Sequence, residues 1–239
     1  MEATVMNDSK DLILRRIREA LKTPAPVPGG HDYSHAETTP SRPKPELDNF
    51  RQWLPKVEND FNSQWSLVTK SFNALKTDFG LLDSPTQLID FVQELQRSEN
   101  WKRIAFHRGA LVTPVVDSLQ TEKIEIKSGY DCQDLEKCEV GITECDAIIA
   151  QTGSILITSR SAGGRGLSAL PPHHLILARP SQMVSDLPAA YELLYQRYGK
   201  DYPSMISFIT GPSRTGDIER IVVLGAHGPK KLTVALLKD

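Results

Sequence analysis

The residues best suited to bind an anion lie in two glycine-containing segments, each of which follows an apolar, strand-like run. The first, SRSAGGRGLSALPPHH, contains Gly163, Gly164 and Arg165, with Ser168 close behind. Glycines let backbone N–H groups approach an anion closely, and a guanidinium can hold a carboxylate or phosphate through two parallel hydrogen bonds. We expect this segment to bind an anionic ligand, and a mobile surface loop is the alternative.

The second segment, ITGPSRTGDIER, contains Gly211, Ser213, Arg214 and Thr215. A strand is predicted to end near Gly211, and a short helix is predicted to start near Ser213 or Thr215. The free N–H groups at a helix N-terminus favour anions. Helix capping alone would account for the two hydroxyl residues but not for Arg214, which is unfavourable near a helix start. Ligand binding is therefore the preferred interpretation of this segment.

Two further positions are candidates for proton transfer. His227 stands in GAHGPKKL, where it would act as a general acid or base or as a hydrogen-bond donor to a substrate oxygen. An exposed hairpin turn is the alternative. Glu144 and Asp146 come just before a predicted strand and would handle a proton as a pair, although such residues are more often a solvated strand entry.

Metal and cysteine chemistry is not expected in this chain. Four histidines are candidate metal ligands, but their separations match no standard metal-ligand spacing: His107, His173, His174 and His227. The adjacent pair would point to opposite faces of a strand. The three cysteines are odd in number and lack the short C-x2-C spacing of zinc and iron–sulfur sites, and they are Cys132, Cys138 and Cys145. We interpret them as ordinary reduced thiols.

The elements around these residues alternate between strands and helices. Helices are predicted over 11–22, 48–75, 84–96 and the second half of 181–199, and single strands over 78–82, 103–107, 123–129, 174–180 and 205–211. Residues 146–159 and 220–238 are each predicted to form two strands joined at a glycine-containing turn. Several of the strands are apolar throughout, so the pattern indicates a mainly parallel sheet covered on both faces, with some antiparallel edges.

Two regions differ in composition. Residues 1–45 combine a short helix with a proline-rich linker, which cannot bury enough apolar surface to offset its ordering entropy. We interpret this region as an N-terminal arm; a flexible tail is preferred to a strap that docks on a partner. Residues 46–239 are predicted to form the α/β domain.

Composition excludes several functional classes. The chain has 239 residues, of which 24% are charged, and a formal net charge of −2. It lacks the basic excess of a nucleic-acid-binding protein. No apolar run approaches the roughly 18 residues of a membrane span, and the N-terminus does not read as a secretory signal. We therefore expect a cytoplasmic protein that neither binds nucleic acid nor spans a membrane.

Three segments together are more specific than any one of them. GITECDAIIAQTGSILI, GGRGLSALPPHHLILA and ITGPSRTGDIERIVVLGAHGPKKLTVALL, in this order, resemble the LUD domain of the lactate-utilisation protein C (LutC/YkgG) family. The resemblance implies a three-layer α/β/α fold with a mainly parallel sheet, like that of the NagB/RpiA/CoA-transferase group. Within the first segment, Thr152, Gly153 and Ser154 join the ligand-binding candidates. Gln151 stands where many relatives read Glu, so we expect no chemical role for it.

The resemblance implies a subunit of a bacterial system that oxidises L-lactate to pyruvate. In that family two partner proteins carry the iron–sulfur clusters, so this chain would be a non-redox subunit without a cofactor of its own. Arg165 and Arg214 would hold the substrate carboxylate, and His227 or Glu144 would accept the hydroxyl proton. The alternative is a non-catalytic binding or regulatory module for a phosphorylated or CoA-like ligand.

Overall fold

The computed structural model describes residues 12–22, 54–58, 60–127, 131–218, 221–225 and 227–238. The chain divides into two compact units, Met1–Phe50 and Arg51–Asp239. In the first unit, residues 12–20 form a helix, as the apolar spacing predicts. The proline-rich linker and the predicted domain boundary after residue 45 lie outside the described residues. Every element named below belongs to the second unit.

Five helices and twelve strands are described in this unit. The helices are α1 (Phe61–Leu75), α2 (Pro85–Glu99), α3 (Val112–Ser118), α4 (Cys132–Glu136) and α5 (Leu187–Tyr198). The strands are β1 (Asp78–Leu82), β2 (Arg103–Phe106), β3 (Glu122–Glu125), β4 (Val140–Glu144), β5 (Ala147–Ile149), β6 (Ser154–Thr158), β7 (His173–Ala178), β8 (Met183–Val184), β9 (Ile206–Ile209), β10 (Arg214–Ile218), β11 (Ile221–Leu224) and β12 (Lys231–Leu237).

The main sheet contains six strands in the order β1-β12-β7-β4-β2-β3. Every neighbouring pair in it is parallel. All six residues of β7 are buried, as are all but the first residue of β12. Strands that are apolar on both sides suit a parallel sheet that is covered on both faces. The predicted mainly parallel α/β architecture is confirmed.

The two faces of the main sheet are covered differently. On one face, Ile142 of β4 belongs to a core cluster with Val92 of α2 and with residues of α3. On the other face, Val234 of β12 belongs to a cluster with Ile155 of β6 and with α1. Strand β6 belongs to a second, smaller sheet with the strand order β8-β5-β6-β9. The other face of this sheet packs on α5 through Leu194. The second sheet is thus an additional layer between the main sheet and α5.

Helix α1 begins later than its apolar spacing predicts. The spacing predicts a helix from Asp48, but residues 54–58 are not helical and α1 begins at Phe61; residues 48–53 lie outside the described part of the chain. Asp60 is the N-cap, because its side chain accepts a hydrogen bond from the backbone N–H of Ser63 at 2.9 Å. An apolar spacing can continue through a cap, so periodicity alone overestimated this helix.

The helix predicted near Ser213 is wrong, because residues Arg214–Ile218 form strand β10. This strand pairs antiparallel with β11 in a two-stranded sheet. Hydroxyl residues after Gly-Pro resemble a helix start, but pairing with the apolar run of β11 determines the local structure. There is consequently no helix N-terminus to attract an anion at this place. Strands β11 and β12 do not form a hairpin either, since β12 pairs with β1 and β7.

Among the described residues, no helix is both long enough and apolar enough to cross a lipid bilayer.

The packing of the second sheet can be tested with one pair of leucine variants. Leu156 of β6 is fully buried against α5, whereas Leu54 is 43% exposed. We expect Leu156→Ala to lower the free energy of unfolding by about 2–5 kcal/mol, because it leaves a cavity, and Leu54→Ala to lower it by less than about 1 kcal/mol. Urea denaturation of both variants gives the comparison, and equal losses would contradict the described packing.

Candidate functional site

One concave site lies at the amino ends of β7 and β12. We name it the motif cavity, because the segments singled out in the sequence line it, and its volume is about 190 Å³. The residues that define its polar and backbone surface are Ser168, His174, Thr210, Gly211, Ser213 and His227. The structure therefore brings together four predicted site residues, and they are Ser168, Gly211, Ser213 and His227.

Backbone hydrogen bonds join the segments around the motif cavity. The N–H of Ser213 donates to the carbonyl of Pro229 at 2.9 Å, and the N–H of Gly225 donates to the carbonyl of Ser213 at 2.9 Å. The N–H of Lys230 donates to the carbonyl of Pro172 at 2.8 Å. Three segments that are distant in sequence thus form one continuous wall.

A row of hydroxyl groups leads from the motif cavity into the turn between β5 and β6. The hydroxyl of Thr152 donates to Ser154 Oγ at 2.8 Å, and Ser154 Oγ lies 2.8 Å from Thr210 Oγ1. Thr210 lines the cavity, so Thr152 and Ser154 support it from behind. Gly153 has a φ of +65°, and a Cβ on it would lie 2.5 Å from Ser71, so this glycine serves the turn and its packing on α1.

His174 is the fully buried residue of the motif cavity, and the sequence did not single it out as a binding residue. Its Nε2 lies 2.9 Å from Thr143 Oγ1, and within the described part of the chain its Nδ1 has no hydrogen-bond partner. Burial lowers the pKa of His174 to about 3, so the ring is neutral at pH 7. Nδ1 can therefore form one further hydrogen bond.

The two predicted arginine clamps do not line the motif cavity. Arg165 Nη2 donates to the carbonyl of Ser204 at 2.7 Å, and Arg214 donates to the carbonyl of Leu75. The ligand-binding roles of both arginines stay predictions. Thr215 lies in β10, and its side chain is outside the described part of the structure.

A second concave site lies at the carboxyl ends of β2 and β4, and we name it the switch-point cleft. From β2 the chain continues through α3 to β3 at one edge of the sheet, whereas from β4 it continues through the second sheet to β7 on the other side. Connections that diverge in this way open a crevice that ligands commonly occupy. Its volume is about 360 Å³, and its charged lining comprises Arg108, Glu144, Asp146, Arg160 and Arg197.

Glu144 lies in the switch-point cleft, where it ends β4 and shortly precedes β5, as the sequence predicts for the position before a strand. Its Oε1 accepts hydrogen bonds from the N–H groups of Leu111 at 2.7 Å and Val112 at 3.4 Å, at the start of α3. A Cβ on Gly109 would lie 2.1 Å from the same oxygen, so only glycine leaves room for this carboxylate. The structure thus assigns Glu144 a capping contact and places it in a different site from His227.

Gly163 has a packing role beside His107, which lines the switch-point cleft. Its φ is +68°, and a Cβ on it would lie 2.6 Å from the ring of His107. The two ring nitrogens of His107 lie 3.0 Å from the carbonyl oxygen of Ile126 and 3.1 Å from that of Arg160. Gly163 therefore makes room for a histidine that joins two loops. Gly164, at φ +131°, lies in a backbone conformation that favours glycine.

Asp146 is buried in the switch-point cleft, with 1% of its surface exposed. Its Oδ1 accepts hydrogen bonds from Arg197 Nη1 and from the hydroxyl of Tyr198, both at 2.6 Å. Burial lowers the pKa of Arg197, but the hydrogen bond and charge of Asp146 outweigh this effect, and the net change is upward. Burial, followed by the hydrogen bond to Asp146, raises the pKa of Tyr198. Both donors therefore keep their protons at neutral pH.

Sequence reasoning did not find Arg197 and Tyr198. They end helix α5, and their separation from Asp146 is 51 and 52 residues. The only local signal is an arginine in the last turn of a helix, which helix capping already explains.

Comparison with known proteins decides the family. The family model described as the LUD domain matches residues 111–237, which is more than half of the chain. The chain belongs to the LUD domain family. Both the motif cavity and most of the switch-point cleft lie within this matched LUD region.

Curated relatives of this LUD domain include lactate utilisation proteins. Lactate utilization protein C of Geobacillus sp. (strain WCH70) is 36% identical over 44% of each chain, and that of Halalkalibacterium halodurans is 29% identical over 66% of this chain and 71% of its own. Uncharacterized protein YkgG of Escherichia coli is 33% identical over 47% of this chain and 50% of its own. The match thus spans about half of the Geobacillus and Escherichia proteins. The resemblance to the lactate-utilisation protein C family is confirmed.

A solved structure shares the fold of this LUD domain. The crystal structure of a DUF162 family protein from Deinococcus radiodurans matches with a TM-score of 0.59 at 16% identity, covering 75% of this chain and 99% of that one. The layered NagB/RpiA-like fold predicted from the sequence is confirmed.

The neutral state of His174 makes the stability of the LUD domain depend on pH. The folded pKa of about 3 is below the ordinary value of 6.5, so the unfolded chain takes up the proton first as the pH falls. This contribution to stability is complete above pH 6.5 and is lost at about 1.4 kcal/mol per pH unit down to pH 3. Between pH 7 and pH 5 we expect His174→Gln to lose about 2 kcal/mol less stability than the wild type.

Urea denaturation at both pH values measures this difference. His227→Gln, a substitution of the same type at an exposed position, is the matched control and should follow the wild type. Equal losses of stability in the wild type and in His174→Gln would show that His174 is not held neutral by burial.

Proposed function

We propose that this chain is a non-redox subunit of a bacterial L-lactate utilisation system and that its motif cavity binds lactate or pyruvate. The observation that carries the proposal is the convergence of three distant sequence segments on one small cavity whose lining includes hydroxyl and imidazole groups. Membership of the LUD domain family supports it, and so do relatives that bear the name lactate utilization protein C.

The dimensions of the motif cavity and its hydrogen-bonding side chains suit a short hydroxy acid. Its volume of about 190 Å³ is below the roughly 300–1,000 Å³ that is typical of sites for drug-sized ligands. The hydroxyls of Ser168, Thr210 and Ser213 can donate hydrogen bonds to carboxylate oxygens. The free nitrogen of His174 adds a directional contact for a ligand hydroxyl or carbonyl group.

His227 is the residue best placed to accept the hydroxyl proton of lactate. It lines the motif cavity and is exposed, and an imidazole nitrogen can serve as a general base. Conversion of the alcohol to the ketone also breaks the C–H bond at the same carbon, which releases two electrons and a second proton. We assign the electrons to iron–sulfur clusters on two partner proteins, as the family resemblance implies, and the second proton to water.

The cysteines of this chain do not suit a cluster of its own. Cys138 and Cys145 are buried in separate parts of the core, whereas Cys132 is exposed. Burial raises the pKa of Cys138 to about 11 and also raises that of Cys145, so both remain thiols at neutral pH. Cluster ligands are thiolates held close together, so a cluster is expected on the partners.

Reconstitution with the two candidate iron–sulfur partners tests the proposal. We expect lactate-dependent dye reduction to require this chain, His227→Ala to lower kcat by about 100-fold or more, and Ser213→Ala chiefly to raise KM. Ser66→Ala, at an exposed position on α1, is the matched control and should retain wild-type kinetics.

Activity that is unchanged when this chain is omitted would refute a role as a required subunit. Full activity of the His227→Ala and Ser213→Ala variants would refute the motif cavity as the substrate site but not the role of the chain as a subunit. Arg165→Ala and Arg214→Ala variants test the clamp predicted from the sequence, and loss of activity there would move the substrate carboxylate out of the motif cavity.

A further inference from the structure

Asp146, which lines the switch-point cleft, has a carboxylate oxygen that no described group satisfies. Asp146 is 1% exposed, and its Oδ1 accepts two hydrogen bonds, but Oδ2 is buried and has no partner among the described residues. A buried carboxylate oxygen without a donor is unfavourable, and such atoms in folded proteins need a specific explanation. A ligand that donates a hydrogen bond to Oδ2 would provide it.

The orientation of this oxygen is set in advance. Arg197 and Tyr198, which follow each other at the end of α5, both bind Oδ1 at 2.6 Å and so hold the carboxylate in one position. The guanidinium of Arg160 lies 5.1 Å from the centre of the Tyr198 ring, which supports this arrangement from the side. Preorganised groups of this kind bind ligands at lower entropic cost.

Three arginines and two carboxylates, Glu144 and Asp146, give the same cleft its charged lining. Three arginines line it, with side chains between 44% and 56% exposed, and they are Arg108, Arg160 and Arg197. Arg108 binds Glu125 through Nε at 2.9 Å, and Arg160 binds Asp201 through Nη2 at 2.6 Å. A guanidinium has five N–H donors, so each ion pair leaves donors that can bind an anion in the cleft.

We propose that the switch-point cleft binds a phosphate ester that carries free hydroxyl groups. A ligand hydroxyl donates to Asp146 Oδ2, and the phosphate lies against the guanidinium groups of Arg108 and Arg160, whose fork of donors matches phosphate oxygens. The volume of about 360 Å³ accommodates a ligand larger than a three-carbon acid. A polyol phosphate and a ribonucleotide share this chemistry. The cleft is separate from the motif cavity, so this proposal does not depend on the role in lactate utilisation.

Calorimetric titration of the full chain tests the hydroxyl contact without any mutation. Glycerol 3-phosphate is compared with propyl phosphate, which lacks the hydroxyl groups, and adenosine monophosphate with its dideoxyribose analogue. In at least one pair we expect the hydroxylated ester to bind about tenfold or more tightly, because only that ester satisfies the buried acceptor. The pair that shows the preference identifies the source of the ligand, polyol phosphate or ribonucleotide.

Two variants separate the hydroxyl contact from the phosphate contact. Asp146→Asn keeps the shape of the side chain but removes its charge, and it should reduce the preference for the hydroxylated ester to less than about threefold. Arg160→Gln should weaken the hydroxylated and hydroxyl-free esters equally, by about tenfold. Arg97→Gln removes a guanidinium that is paired with Glu94 on α2, away from the cleft, and should bind as the wild type does.

The proposal is overturned if neither hydroxylated ester binds more tightly than its hydroxyl-free analogue, or if Arg160→Gln binds both esters as tightly as the wild type. Circular dichroism shows whether Asp146→Asn is folded. If it is not, the wild-type ligand pairs and Arg160→Gln, which changes a half-exposed side chain, decide the question.

Discussion

Strand β7 is buried at every residue from His173 to Ala178, so its polar groups can form hydrogen bonds only with groups inside the protein. Adjacent residues of a strand face opposite sides of the sheet. His173 accordingly contacts Glu99 and Thr233, each at 2.8 Å, while His174 contacts Thr143. This arrangement lets both faces of the main sheet be covered by apolar layers, and it leaves the free nitrogen of His174 at the amino end of the sheet.

The two concave sites follow from the connections that this sheet requires. Parallel strands must be joined by crossovers, and the diverging crossovers after β2 and β4 open the switch-point cleft at the carboxyl edge. The loop 159–172 then runs from the carboxyl ends of the strands to their amino ends, because it starts after β6 and must enter β7 at its amino end. Ser161 of this loop lines the switch-point cleft, and Ser168 lines the motif cavity. One loop therefore contributes to both sites.

Local sequence signals predicted the ends of helices and strands well where a helix cap or a turn residue coincides with the end of an apolar repeat. Ser84 and Pro85 begin α2, Gly199 follows the last residue of α5, and the Thr152-Gly153 turn joins β5 to β6. The signals failed where local and long-range preferences conflict. Residues after Gly211 resemble a helix start, yet pairing with β11 makes them a strand. Helices α3 and α4 and strand β4 were not predicted, and the two helices have only seven and five residues.

By itself, the sequence determined the family, the mainly parallel α/β sheet and four residues of the motif cavity, because those residues lie in loops that flank apolar strands. Only the tertiary structure decided which charged groups meet. It directs Arg165 and Arg214 to backbone carbonyls, it uses Glu144 as a cap for α3, and it joins Asp146 to Arg197 and Tyr198. These contacts depend on the order of strands in the sheet and on how α5 packs against β5, and no local spacing of residues encodes either.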